Sequence, residues 1–63
     1  MRINLRKERM KNGMTQQQVA DSIGITITYY SYIELGKQTG SIKIWDKLED
    51  LFGVNQRFLR ENI

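Results

Sequence analysis

The side chains able to do chemistry in this 63-residue chain are few, and their kinds exclude most reactions. There is no cysteine and no histidine. That removes thiol nucleophiles, disulfides, thiolate zinc sites, imidazole bases and imidazole-ligated metals. Asp46, Glu49 and Asp50 cluster on one helical stretch, but neighbouring helix carboxylates without a cleft are usually solvated. No glycine-rich loop is placed to cradle a phosphate. What remains is contact chemistry: cationic side chains that hold anions, and hydroxyls and amides that exchange hydrogen bonds. The expectation is a binding protein with no enzymatic activity, no cofactor, no metal and no small-molecule ligand.

The cations are unevenly placed. The chain carries a net charge of +3 and a pI of about 9.5. Arg2, Arg6, Lys7, Arg9 and Lys11 stand against Glu8 alone in the first fifteen residues. Residues 16–36 carry only Asp21 and Glu34. Lys37, Lys43, Lys47, Arg57 and Arg60 then meet Asp46, Glu49, Asp50 and Glu61. Two basic segments thus flank a polar, charge-poor middle, a distribution that suits an anionic partner.

These side chains have to be positioned by elements that the sequence punctuates clearly. Glycines at 13, 24, 36, 40 and 53 divide the chain, and proline is absent. A first helix runs from about Asn4 to Asn12. The second opens at Thr15, where Thr15 and Gln18 form a capping box. Val19, Ala20 and Ile23 follow at helical spacing, and Gly24 stops it. The third runs from Thr26 to about Glu34, with Gly36 beyond it. Its β-branched and aromatic residues favour a strand by propensity, but the cap and the glycine stop bracket a helix. The fourth opens at Ser41, and Ile44, Trp45, Leu48, Leu51 and Phe52 form an apolar stripe closed by Gly53. The fifth starts at Asn55, with Phe58 and Leu59 facing inward. Met10 and Met14 read as gap-filling core. Lys7, Lys11, Lys47 and Asp50 read as solvated surface.

Five short helices with tight turns give a single all-α domain over residues 1–63. A chain this short buries only ~60% of its unfolded surface, so its stability rests on close helix packing or on dimerisation. No apolar run approaches the ~20 residues needed to span a bilayer. The charged N-terminus lacks the apolar core of a signal peptide, so a cytoplasmic location and no membrane contact are expected.

The segment from Thr15 to Glu34 is a helix, a short turn at Gly24 and a second helix, with Ala20 where the two cross. This constellation resembles the helix-turn-helix of the Cro/CI-like (Xre) family of phage and bacterial repressors. The resemblance covers about Leu5 to Leu59. It rests on Arg9 and Gly13; Thr15-Gln16 and Val19-Ala20; Gly24-Ile25-Thr26; Ile33-Glu34 with Gly36-Lys37; and Gly53-Val54. It implies a compact five-helix, lambda-repressor-like DNA-binding domain with its helix-turn-helix at about 15–34.

The resemblance also implies roles. The third helix would lie in the major groove of double-stranded DNA, with Thr26, Ile27, Thr28 and Tyr32 facing the bases. Gln16 would touch phosphate where the second helix begins, a place whose free N–H groups and dipole favour an anion. Lys37, Thr39, Ser41 and Lys43 would add phosphate contacts, which position the protein and make binding salt-dependent. Arg9 and Glu34 would form an ion pair tying the first helix to the third. A homodimer on a two-fold operator, with half-sites ~10 bp apart, would meet near Phe52, Val54, Asn55, Arg57 and Phe58.

Some residues depart from the family pattern. The stretch Thr26 to Tyr32 holds no Arg, Lys, Asn or Gln, so no bidentate contact to guanine or adenine comes from it. Ile27 and the threonine methyls are suited to thymine methyl groups, and Tyr32 to a base or phosphate. Tyr30 occupies an aliphatic position and reads as core with its hydroxyl reaching an edge. Tyr29 stands where a small residue is usual. Glu49 replaces a small apolar residue, and the loop after the third helix has Thr39-Gly40 in place of a proline. A tyrosine-rich third helix also suits a protein-interaction module, such as an antirepressor, an antitoxin partner or an adaptor, which is the alternative reading.

Overall fold

A computed structural model describes residues 1–62 of the chain. Five helices follow one another: α1 (Ile3–Lys11), α2 (Gln16–Ile23), α3 (Ile27–Leu35), α4 (Ile42–Phe52) and α5 (Gln56–Arg60). No strand occurs among the described residues. The expected all-α architecture is the observed one, and the boundaries fall within two residues of those predicted.

Local chemistry explains the boundaries. Thr15 Oγ1 accepts the Gln18 amide at 3.1 Å, and Gln18 Oε1 accepts the Thr15 amide at 2.8 Å, completing the capping box. Thr26 Oγ1 accepts from the Tyr29 amide at 3.2 Å, and Ser41 Oγ from the Ile44 amide at 3.3 Å. Asn55 Oδ1 accepts from the Arg57 amide at 2.8 Å. Gly24 ends α2 at φ 75°, the left-handed conformation in which a Cβ would be strained. These caps decide the case of α3, whose residues favour a strand in isolation. Once both ends are fixed, burying Tyr30, Ile33 and Glu34 on one side outweighs the propensity deficit.

The core is assembled from all five helices: Leu5 of α1; Val19, Ala20 and Ile23 of α2; Tyr30 and Ile33 of α3; Ile44, Trp45, Leu48 and Phe52 of α4; and Leu59 of α5. α2 packs on α3 and α4, while α1 packs on α3 and α5. The helix-turn-helix is thereby held from behind by α1 and α4. Met14, Ile25, Tyr29, Leu51 and Val54 pack partly buried around this core.

Three expectations are corrected. Met10 is 58% exposed, because it lies about 140° around α1 from the buried Leu5. Phe58 is 44% exposed and does not face inward. α5 is too short to bury two adjacent side chains, and Leu59 takes the inward place. Phe52 is 9% exposed, so its ring is closed into the protomer's own core and is not free for a dimer contact.

Glu49, out of pattern in α4, has a structural use. Its Oε2 accepts the Gln56 amide at 3.1 Å and its Oε1 accepts Gln56 Nε2 at 3.2 Å. Asp46 Oδ1 accepts the same Nε2 at 2.8 Å. The two carboxylates pin the first residue of α5 onto α4. Lys47 is exposed as expected, although its ammonium reaches the Ile23 carbonyl at 3.4 Å.

Candidate nucleic-acid interface

α3 has two opposed sides. Tyr30, Ile33 and Glu34 face the core. Thr28, Tyr32 and Leu35 stand on the outer side, with Thr26 and Ile27 exposed at its start. Ile27, Tyr32 and Leu35 are 40%, 42% and 40% exposed. Thr28 and Tyr32 are four residues apart and so lie one above the other. Leu35 joins that ridge one turn later; its place beyond the motif's reading positions hid it in the sequence. Thr26 uses one acceptor site of its hydroxyl to cap α3, which leaves its proton and one lone pair for an outside partner.

The residues expected to contact phosphate lie on α2, on the loop after α3 and at the start of α4. Gln16 is the first residue of α2 and is half-buried. The capping box uses the Thr15 and Gln18 amides, which leaves those of Gln16 and Gln17 as the unbonded donors of the first turn. Lys37 follows α3, with its Nζ 5.8 Å from the centre of the Tyr32 ring. That contact gathers a cation and the largest side chain of the ridge. Thr39, Ser41 and Lys43 are exposed on the loop and at the start of α4.

The loop carrying these groups is fixed by a residue that sequence reasoning missed. Arg2 is 6% exposed, and its guanidinium lies 5.2 Å from the centre of the Trp45 ring. Arg2 Nη1 donates to the Ile33 carbonyl at 2.6 Å and to the Gln38 carbonyl at 2.8 Å. Its Nε donates to the Arg60 carbonyl at 3.1 Å, and its own amide donates to the Glu34 carbonyl at 2.8 Å. Trp45 Nε1 completes the anchorage by donating to the Thr39 carbonyl at 2.8 Å. Burial, and then the charge of Arg60, lower the Arg2 pKa below its ordinary range. The indole of Trp45 offered a partner for a cation, but nothing local pointed to Arg2.

Arg9 and Glu34 meet as expected. Arg9 Nε and Nη2 donate to the two carboxylate oxygens of Glu34, both at 3.0 Å, and Nη1 donates to the Met14 carbonyl at 3.0 Å. The Glu34 hydrogen bond raises the Arg9 pKa further above its ordinary range. This fork locks α1 to α3 and fixes the rotation of the exposed ridge. Tyr30 lies beside the pair, fully buried, with its hydroxyl meeting no partner in hydrogen-bond geometry. Burial, reinforced by the Glu34 charge, pushes the Tyr30 phenol well above its ordinary pKa.

Of the residues expected at a dimer contact, Val54 is half-buried against the core, and the Asn55 side chain is occupied in capping α5. Arg57 and Phe58 are exposed, so they form the accessible part of that surface.

A helix-turn-helix family model matches residues 5–57. The chain belongs to that family. It is 40% identical over 55 residues to YonR, an SPbeta prophage-derived uncharacterized HTH-type transcriptional regulator of Bacillus subtilis (strain 168). The match covers 87% of this chain and 51% of that relative, so the chain spans about half the length of the curated relative it matches. No solved structure matches the domain. No helix among its described residues is long and apolar enough to cross a membrane.

Proposed function

We propose that the domain is a sequence-specific regulator, acting as a repressor, that binds a two-fold DNA operator as a dimer with α3 in the major groove. The exposed ridge of α3 carries this reading, because the Arg9–Glu34 fork and the α2 packing hold it rigidly outward. Thr26, Ile27, Thr28 and Tyr32 face the base edges. Gln16, Lys37, Thr39, Ser41 and Lys43 hold phosphates on either side. Arg57 and Phe58 of one protomer meet those of its partner.

The test is a salt titration of binding to the DNA upstream of the domain's own gene. Two lysines per protomer, doubled in a dimer, give a log–log salt slope of about −3.6. Binding that ignores salt, or that prefers random duplex equally, refutes the reading. The second reading, a protein-interaction face, draws support from Ile27, Tyr32 and Leu35, three exposed apolar side chains on one helix. Replacing Ile27 and Tyr32 with Ala separates the two: loss of DNA binding alone supports the first, and loss of partner binding alone the second.

A further inference from the structure

A groove of about 460 Å³ opens on the side of the domain formed by the N-terminus, the loop after α3 and α5. Arg2, Thr39, Gln56, Arg57, Arg60 and Glu61 line it. Three arginines therefore line one concavity with a single acidic residue. Glu61 makes no ion pair with any of them, because the ion pair among the described residues is Arg9–Glu34. Arg2 is the informative member. Its Nε and Nη1 are bonded to carbonyls, whereas Nη2 has no partner among the described residues and is not among the buried unpartnered atoms, so it is open to solvent. A cation beside like charges, with the N–H groups of Nη2 open to solvent, can take an acceptor from outside the chain.

We propose that this groove is an oxyanion site that takes a phosphate group. A phosphate oxygen reaching Arg2 Nη2 accepts its free N–H groups and offsets the repulsion between Arg2 and Arg60. Arginine is suited to the task, since its planar fork matches a phosphate edge. The Thr39 wall joins the groove to the loop assigned to DNA phosphates. The ligand is then either a backbone phosphate of DNA, beyond the helix-turn-helix footprint, or a free phosphate.

The chain's single tryptophan reports on the site. Trp45 lies under the Arg2 guanidinium and is bonded to the Thr39 carbonyl. Inorganic phosphate, titrated against chloride at matched ionic strength, is expected to change Trp45 fluorescence saturably. Arg60→Gln should raise the half-saturation point about threefold or more, and Glu61→Gln should lower it. In the DNA arm, Arg60→Gln should weaken binding equally on all sequences and flatten the salt slope by about 0.9 per protomer if the ligand is a backbone phosphate. An unchanged slope together with saturable phosphate binding assigns the groove to free phosphate. The proposal is overturned if phosphate and chloride act alike on Trp45 and the slope is unchanged in Arg60→Gln. The phosphate arm needs no DNA, so failure of the operator reading and failure of the site are distinguishable.

Discussion

Replacing Arg2 with methionine tests the main structural argument, that a residue one step from the chain end is a keystone of the loop beside α3. The substitution keeps the apolar stem and removes the donors. It breaks three hydrogen bonds from a charged group, to the carbonyls of Ile33, Gln38 and Arg60, and the stacking on Trp45. Bonds to charged groups contribute ~1.5–3 kcal/mol each, and cation–π stacking ~1 kcal/mol. Two effects reduce that gross figure. Burial of the guanidinium carries a desolvation cost, visible in the lowered pKa. The Ile33 carbonyl also keeps the Gly36 amide at 3.1 Å as a partner. The expected net loss is about 2–3 kcal/mol, set against a total of ~3–9 kcal/mol for a domain of this length. In urea unfolding followed by circular dichroism, with a slope of ~1 kcal/mol/M, the midpoint should fall by about 2–3 M. Arg2→Lys keeps the charge without the fork and should recover less than half of the loss. A loss below ~0.5 kcal/mol in Arg2→Met, or full recovery by lysine, refutes the argument, since a frayed terminus gives the first result and charge alone the second.

The Tyr30 hydroxyl is buried without a partner, so Tyr30→Phe should be neutral or stabilise by about 1 kcal/mol, a gain of ~4–8 °C in thermal midpoint. Tyr30 also sets an alkaline limit. Its phenol stays protonated in the fold but ionises near pH ~10 when unfolded, so stability should fall above that pH in the native sequence and fall less in Tyr30→Phe. Glu34→Gln leaves the Arg9 guanidinium half-satisfied and should cost about 2–3 kcal/mol by chemical denaturation, with weakened DNA binding as the ridge loses its anchor. Phe58→Asp should leave unfolding nearly unchanged, since the ring is exposed, but shift sedimentation toward the monomer and reduce operator affinity.

The parts of the molecule legible in the sequence are those fixed locally. Thr15, Thr26, Ser41 and Asn55 each cap the helix they were expected to cap, because a cap needs only its own next two or three residues. The Arg9–Glu34 pair was legible through the family pattern, not from spacing. Arg2 was illegible for the opposite reason: its partners lie 31 to 58 residues away. A charged residue near a chain end carries no mark of such contacts. Phe58 and Leu59 differ only by a rotation of about 100°, and the packing of α5 on α1 chooses between them. Glu49 departs from the family pattern in α4, and its use is visible only with Gln56 placed beside it.

The composition of the α3 ridge bears on how such a domain would read DNA. On the proposed reading, methyl groups of Ile27 and Thr28 would discriminate thymine by apolar contact, and Tyr32 would offer one hydroxyl. None supplies the paired donors and acceptors that separate guanine from adenine. Each base contact is therefore worth less than a bidentate one, and the remaining selectivity must come from elsewhere. Two features of the structure can supply it. The loop after α3 is held by Arg2 and Trp45, so on the proposed reading it would accept only DNA whose backbone already follows, or readily bends into, its shape. A dimer contact through Arg57 and Phe58 would fix the spacing of two such ridges. Operator variants should divide accordingly. Changes at thymines under Ile27 and Thr28 should cost little, about 1 kcal/mol each, whereas changing the half-site spacing by a single base pair should abolish specific binding. Loss of specific binding on the thymine changes, with tolerance of the altered spacing, would mean that the ridge, and not the frame around it, does the discriminating.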